Sequence, residues 1–469
     1  MIDLSPEEFR ALGYQAVDMI VERLTAQAEL PVRQPVPAET RERLMHSPLP
    51  TEGTDPAQLL NILAELILPY PMGNSSPRFF GWVNSPPAPM AILAELLAAA
   101  QNPSVAGGDH SATYVEHGVL NWIKEIFGFS ADAGAILTSG GSVANLIPLG
   151  VMRHVKTAGT VRAQGFQRES APMVIYTSTQ GHSCIQKAVE LLGFGSDFLH
   201  KIPVDADYQI DIAALEAQIA ADRAAGLRPV CLVANAGTVN TGAIDPLDAL
   251  ADLCEREDLW FHIDGAYGGF GILAEQTSGL YKGIERADSL AIDPHKWLYL
   301  PVECGCCIVR DAQAMRDAYS LVPPYIRDDR ALPWFSEFGI QQTRGFKALK
   351  LWLTMQQVGL DGYRQSISRD IDLAYQLQAK IRARSDFELV ATGPLSVTCF
   401  LYRPPGQVDV EGINRKLIPL VQAEGRVFLT GTELEGRFAL RACIVNFRTT
   451  EADLDLLLDV IADAGQRSK

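Results

Sequence analysis

The chain of 469 residues has no run of about eighteen uninterrupted apolar residues, which excludes a spanning helix and makes a membrane an unexpected partner. Positive charge is in the minority, with 40 Lys and Arg against 56 Asp and Glu and a net charge of −16. Without a basic block, neither nucleic acid nor an anionic lipid surface is an expected partner. Eight cysteines are too sparse for a disulfide framework and read as reduced thiols of a cytoplasmic protein. The opening MIDLSPEEFRALGYQ has no basic segment followed by an apolar run, so no signal peptide is expected. Internal repeats and low-complexity tracts are missing too. What is present is ordinary for a globular protein: 47% hydrophobic and 20% charged residues, long enough for about two to four domains.

The first helix is announced by Ser5 before Pro6-Glu7-Glu8, an N-cap followed by Pro and two acids, with apolar residues recurring from Phe9 to Leu24. The stretch from Pro31 to Pro50 is rich in proline and reads as an extended connector. A second helix is expected from about Pro56 to Leu68. Between residues 90 and 310, strand-like runs at Ala135–Thr138, Met173–Tyr176, Val230–Ala234, Leu259–Ile263 and Leu290–Ile292 alternate with helix-like stretches. Such alternation predicts an α/β domain with a mostly parallel sheet. Helical periodicity returns at Phe346–Val358. Short strands at Leu395–Tyr402 and Phe438–Cys443, with helices at Val410–Glu424 and Glu451–Ala464, suit a smaller α+β domain. The expected division is an N-terminal helical segment at 1–85, a large α/β domain at 86–360 and a C-terminal α+β domain at 361–469.

Ligands of open α/β sheets bind at the carboxyl ends of the strands, so polar residues just past each apolar run are the candidates. Ser139-Gly140-Gly141-Ser142 offers backbone N–H groups at a helix start, suited to a phosphate, although an ordinary strand-to-helix turn looks the same. His182, after the run MVIYT, could stack on a planar ring or move a proton, or simply cap the next helix. Asp264 ends the run LWFHID and is followed by small residues that leave room for a ligand. Such a carboxylate must be paired or have its pKa raised. Lys296, between His295 and Trp297, would have a lowered pKa if desolvated and become a nucleophilic amine; a lysine snorkelling at a domain edge is the bland alternative. Together the four meet one chemical demand. Pyridoxal phosphate needs a lysine for its Schiff base, an acid for its pyridine nitrogen, a phosphate cradle and a ring against its face.

The motifs Ser139-Gly140-Gly141-Ser142, Gly181-His182-Ser183, His262-Ile263-Asp264-Gly265-Ala266-Tyr267 and Asp293-Pro294-His295-Lys296-Trp297, in this order, resemble the group II pyridoxal-phosphate-dependent amino-acid decarboxylases. FRALGYQAVDMI, NWIKEIFGF and FRTTEADLD extend the resemblance over nearly the whole chain. It implies the fold-type I α/β architecture, a homodimer wrapped by its N-terminal segments, and decarboxylation of an L-amino acid to amine and CO2. By the same resemblance Lys296 would carry the cofactor and Asp264 would keep its ring nitrogen protonated. His182 would stack on the ring and transfer a proton, and Ala266 would pack against it. Gly141, Ser142 and His295 would serve the phosphate, with Thr238 in a turn nearby.

Relatives acting on aromatic amino acids usually carry Tyr-Phe-Pro and a small residue where this chain has Trp82-Val83-Asn84-Ser85. Phe80, Trp82, Val83 and Asn84 are therefore the substrate candidates. Their aromatic neighbourhood favours an aromatic or large apolar substrate, while Asn84 adds a polar contact. An aldehyde synthase of the same fold, which deaminates oxidatively as it decarboxylates, is the alternative enzyme, and a degenerate cofactor-binding protein the non-enzymatic one. Aligning on Arg344 and Phe346 places Pro333, Trp334 or Phe335 near the family's proton-donating loop tyrosine. Tyr325 is the phenol this loop offers, and amine is the main product expected. The CxxC spacing of Cys304 to Cys307 reads as a buried structural run, and His110 and His117 as interface or pocket residues, with no metal.

Overall fold

Ser5 closes a capping box at the start of the helix Pro6–Ala26. Its Oγ accepts the Glu8 N–H at 3.2 Å, and the Glu8 carboxylate accepts the Ser5 N–H at 2.9 Å. The computed structural model describes residues 2–321 and 332–467. The proline-rich stretch after the first helix departs from the extended connector expected of it, because a short helix, Ala38–Met45, lies inside it. Glu, Arg, Leu and Met there are good helix formers, and Pro37 ends the extended run just before them. No residue of this helix is buried, so it carries no apolar period for a sequence reading to find.

The chain divides into two units, one of Met1–Trp82, Gln376–Val390 and Cys399–Lys469, the other of Val83–Tyr375 and Ala391–Thr398. The second holds a seven-stranded sheet: β1 (Gly134–Thr138), β2 (Met173–Ser178), β3 (Leu199–Ile202), β4 (Arg228–Asn235), β5 (Trp260–Asp264), β6 (Ser289–Ile292) and β7 (Gly305–Val309). Their order is β1-β7-β6-β5-β4-β2-β3. Strand β7 runs antiparallel to both neighbours and the remaining pairs are parallel. Every residue of β1, β2, β5, β6 and β7 is buried, as expected where helices cover both faces of a parallel sheet. Each buried Val, Leu or Ile contributes about 1.5–3 kcal/mol over its exposed state. The cysteine run falls on β7, with its thiols buried and unpaired. Strand β3 escapes the sequence pattern because its four residues, LHKI, have two polar residues in the middle and sit at the sheet edge.

A four-stranded sheet, β8 (Phe387–Thr392), β9 (Val397–Tyr402), β10 (Thr430–Leu434) and β11 (Arg437–Cys443), lies largely in the first unit in the order β10-β11-β9-β8. The helices Val410–Glu424 and Glu451–Arg467 accompany it. Among the described residues no helix is long and apolar enough to cross a membrane.

Candidate active site

Strands β1, β2, β4, β5 and β6 all end at one cavity of about 380 Å³. Gly141, Ser142, His182, Thr238, Asp264, Ala266, His295 and Lys296, eight residues drawn from separate motifs, line it together. The helix Gly141–Lys156 starts there with Gly140 at its N-cap, so its first N–H groups face the cavity end. A side chain at Gly141 would fill the cradle: its Cβ would lie 2.8 Å from Asp293 Oδ2 and 3.1 Å from the Ala266 methyl. At Gly237 a φ of +101° demands glycine, and so does the Gly268 Cα, which would lie only 2.6 Å from a Cβ placed there. This lets the turn carrying Thr238 close on β5.

Lys296 sits in the short helix Pro294–Trp297 just past β6, and its Nζ lies 2.9 Å from Asp293 Oδ2. Here the charge state differs from the sequence expectation. Burial does work against the ammonium, but the Asp293 carboxylate and the Asp264 charge outweigh it, and the pKa is raised above the ordinary lysine value. Asp264 is buried, and its pKa is raised because burial disfavours the carboxylate. The Ala266 N–H at 3.1 Å, the Lys296 and His182 charges and the Asn145 amide act in the opposite sense.

His182 caps the helix Ser183–Leu191 and also lines the cavity. Its Nδ1 accepts the Cys184 N–H at 3.2 Å, which leaves the proton of the neutral ring on Nε2. His295 Nδ1 lies 2.8 Å from the Cys304 carbonyl, a pure acceptor, and so carries the proton there. The Thr238 hydroxyl meets Thr241 Oγ1 at 2.9 Å and accepts the Ala243 N–H at 3.2 Å, bracing its turn. Behind the lysine, the Trp297 ring stacks on Tyr267 at 5.3 Å. Asp370 accepts from Trp297 Nε1 at 3.0 Å and from the Tyr299 hydroxyl at 2.8 Å.

The four substrate candidates lie elsewhere in sequence from the cavity lining, which runs from Ser139 to Glu303. Phe80 is buried, exchanging backbone hydrogen bonds with Phe428 and Cys443, and Trp82 is half exposed with its ring 5.3 Å from that of Phe428. Val83 is buried and Asn84 partly so, and the neighbouring Ser85 donates to the His295 carbonyl at 3.1 Å. Tyr325 lies outside the described residues. Phe335 is buried against His117, ring centroids 4.4 Å apart, and Gly107 makes room for Trp334. His110 occupies the N-cap position of the helix Ser111–Ile126 without a side-chain capping bond, and its Nε2 lies 3.3 Å from Thr113 Oγ1. Among the described residues no cluster of His, Cys, Asp and Glu could hold a metal. Sequence reading passed over Asn145, Gln180, Cys184 and Asn235 as site residues, and gave Asp293 no role. Asn145 had left a signal, a polar residue within the apolar run VANLIPLG.

Comparison with known proteins gives the arrangement its context. Residues 37–403 match the model of the pyridoxal-dependent decarboxylase conserved domain. The chain belongs to the pyridoxal-dependent decarboxylase family. It is 35% identical to an aromatic-L-amino-acid decarboxylase of Bacillus atrophaeus, over all of this chain and 98% of the relative. It is 27% identical to a phenylacetaldehyde synthase of Petunia hybrida, over 98% of this chain and 94% of that one. The crystal structure of Catharanthus roseus tryptophan decarboxylase with L-tryptophan superposes with a TM-score of 0.90 at 26% identity, covering both chains fully. The protein is thus a pyridoxal-phosphate-dependent amino-acid decarboxylase with the mostly parallel α/β fold of that family. The cavity fits the cofactor on its own terms: a side-chain-free cradle at a helix start, a buried carboxylate, a lysine amine and an imidazole all face one space.

Proposed function

We propose that the protein decarboxylates an aromatic L-amino acid, releasing the amine and CO2. Lys296 would hold the cofactor through Nζ, the first N–H groups of the Gly141 helix and Ser142 would hold its phosphate, with His295 and Thr238 beside them, and Asp264 its ring nitrogen. When bound, the cofactor supplies an electron sink for the charge left at the substrate α-carbon as CO2 departs. Asp264 serves that sink by keeping a proton at the ring nitrogen, and Ala266 packs against the ring. His182 presents Nε2–H to the cavity and would pass that proton to the substrate α-carbon as Nε2 takes another from solvent. That Nε2–H, oriented by the Cys184 amide, is the observation that favours amine over aldehyde. Each tenfold gained in this competition is about 1.4 kcal/mol of barrier.

The Bacillus atrophaeus relative supports an aromatic substrate class. Val83 and Asn84 are substrate contacts in this reading, supported by the Ser85 bond to the His295 carbonyl that ties their segment to the lysine turn. Trp82, half exposed, is the candidate that offers aromatic surface. A cytoplasmic location agrees with eight buried cysteines, none of them in a disulfide. A homodimer rests on the resemblance and agrees with the exposed apolar side chains of Phe9 and Tyr14 on the first helix and of Leu93, Leu96 and Leu97 on the helix Pro89–Gln101.

The experiment is a screen of L-tryptophan, L-tyrosine, L-phenylalanine and non-aromatic amino acids under air, with CO2, amine, ammonia and hydrogen peroxide measured together. The expected result is amine matching CO2 with one aromatic substrate preferred. Peroxide and ammonia matching CO2 would replace this reading with the aldehyde synthase. If amine dominates, Tyr325→Phe should raise the peroxide share, and an unchanged share would remove Tyr325 from proton transfer. Trp82→Ala should lower kcat/KM while cofactor retention is unchanged.

A further inference from the structure

Strand β5 carries Trp260, His262 and Asp264 at alternate positions, so all three point to one face of the sheet. His262 is in register with Ser289 of β6. Its Nδ1 lies 2.8 Å from Ser289 Oγ, and its Nε2 lies 2.8 Å from Asn145 Oδ1. Trp260 Nε1 donates to the same Ser289 Oγ at 2.8 Å. Asn145 Nδ2 donates to the Gly141 carbonyl at 2.8 Å and to Cys184 Sγ at 3.6 Å, and hydrogen bonding from its amide favours the Asp264 carboxylate. Trp260, His262, Ser289 and Asn145 are all buried.

The donor inventory of these groups permits one direction only. An indole N–H can only donate, so Ser289 Oγ accepts from Trp260 and has a single proton of its own to give. That proton goes to His262 Nδ1, which fixes the neutral ring as the Nε2–H form. Nε2–H then donates to Asn145 Oδ1, which turns the amide so that its N–H groups face Gly141 and Asp264. Burial holds the His262 ring neutral, with a pKa lowered to about 3, so the pattern persists across the working pH range. The reverse order fails at Asn145. His262 protonated at Nδ1 would need the amide flipped, which would set its oxygen against the Gly141 carbonyl. Such a mismatch buried from water costs about 1–3 kcal/mol.

We propose that Trp260, Ser289, His262 and Asn145 form a one-way hydrogen-bond relay that presents an amide N–H to Asp264 and positions that carboxylate for the cofactor's ring nitrogen. The inference rests on the reading of Asp264 under Proposed function and adds four positioning residues to it. One Asp264 oxygen accepts the Ala266 N–H, so a fixed donor from Asn145 limits which lone pairs remain for the ring. The Gly141 carbonyl joins the same amide to the first turn of the phosphate-side helix, so ring and phosphate ends are aligned through one side chain.

The test uses full-length holoenzyme labelled with 15N-histidine, with the His262 resonances assigned by their loss in His262→Gln. NMR should find a neutral Nε2–H ring that does not titrate between about pH 5 and 8. In Ser289→Ala, three links from Asp264, the His262 tautomers should mix and cofactor retention, followed by visible absorbance during dilution, should fall about 10-fold. Ser289→Thr, which keeps the hydroxyl, should restore both. A wild-type His262 protonated at Nδ1 would overturn the relay, and this measurement needs no variant to fold. A Ser289→Ala protein equal to wild type in tautomer and retention would overturn it as well. Asp264→Ala is run alongside: full cofactor retention there would remove the reading of Asp264, while the tautomer result decides the relay separately.

Discussion

The two ends of the seven-stranded sheet carry cavities of similar size and opposite character. At the carboxyl ends the space is about 380 Å³, at the amino ends of β5 and β6 about 470 Å³. The larger one is walled by surface ion pairs that satisfy each other: Lys156 with Asp258 at 2.9 Å, and Arg286 with Asp248 at 3.0 Å and Asp252 at 2.7 Å. The smaller one gathers buried carboxylates, Asp264 and Asp293, around Lys296, and among the described residues Asp293 Oδ1 is a buried acceptor without a partner. Glycine keeps side chains out of its cradle. Volume therefore does not mark the site. Buried charge held in excess of its partners, next to space that nothing fills, does.

That contrast can be broken most directly at Lys296. Lys296→Ala should abolish the borohydride-reducible link to the cofactor and reduce turnover on the order of a thousandfold or more, checked by mass spectrometry after reduction and by CO2 release. A covalent adduct on another lysine would show that the charge excess was misread. Gly141→Ala comes next. Its methyl group must displace Asp293 or Ala266, so cofactor retention should fall about tenfold, read by visible absorbance during dialysis.

Asp370 tests whether strain from burial extends behind the lysine. Burial raises its pKa from 3.8 to about 7, against the hydrogen bonds from Tyr299 and Trp297. A carboxyl whose folded pKa exceeds its unfolded value contributes stability that is present at low pH and lost as pH rises through the folded value. The loss should therefore run from about pH 4 to 7, amounting to at most about 4 kcal/mol. Asp370→Asn keeps an acceptor for Trp297 and Tyr299 and should flatten the pH dependence of urea unfolding in that window. An unchanged slope would place the titration elsewhere. The smallest effect is expected at the opposite end of the sheet. Lys156→Met breaks the pair with the exposed Asp258 and should change stability by no more than about 1 kcal/mol, with kcat and KM unaltered. A large loss of activity there would erase the distinction between the two cavities.

Much of this was legible in the chain itself. Apolar runs of four to eight residues separated by helical stretches determine a parallel sheet, since such runs are stable only when buried on both faces. A polar residue just past each run falls at the carboxyl edge, which is why Gly141, His182, Asp264 and Lys296 could be grouped before any contact was known. The short helix Ala38–Met45 was not legible, because an exposed helix has no apolar period. The lysine's charge state was not legible either. Desolvation is a property of Lys296 alone, but its outcome depends on Asp293 standing 2.9 Å away with Asp264 nearby. The alternation of Trp260, His262 and Asp264 put them on one face by period alone. Only the tertiary structure set Ser289 and Asn145 against them, because hydrogen-bond direction depends on which donor meets which acceptor across strands and helices far apart in sequence.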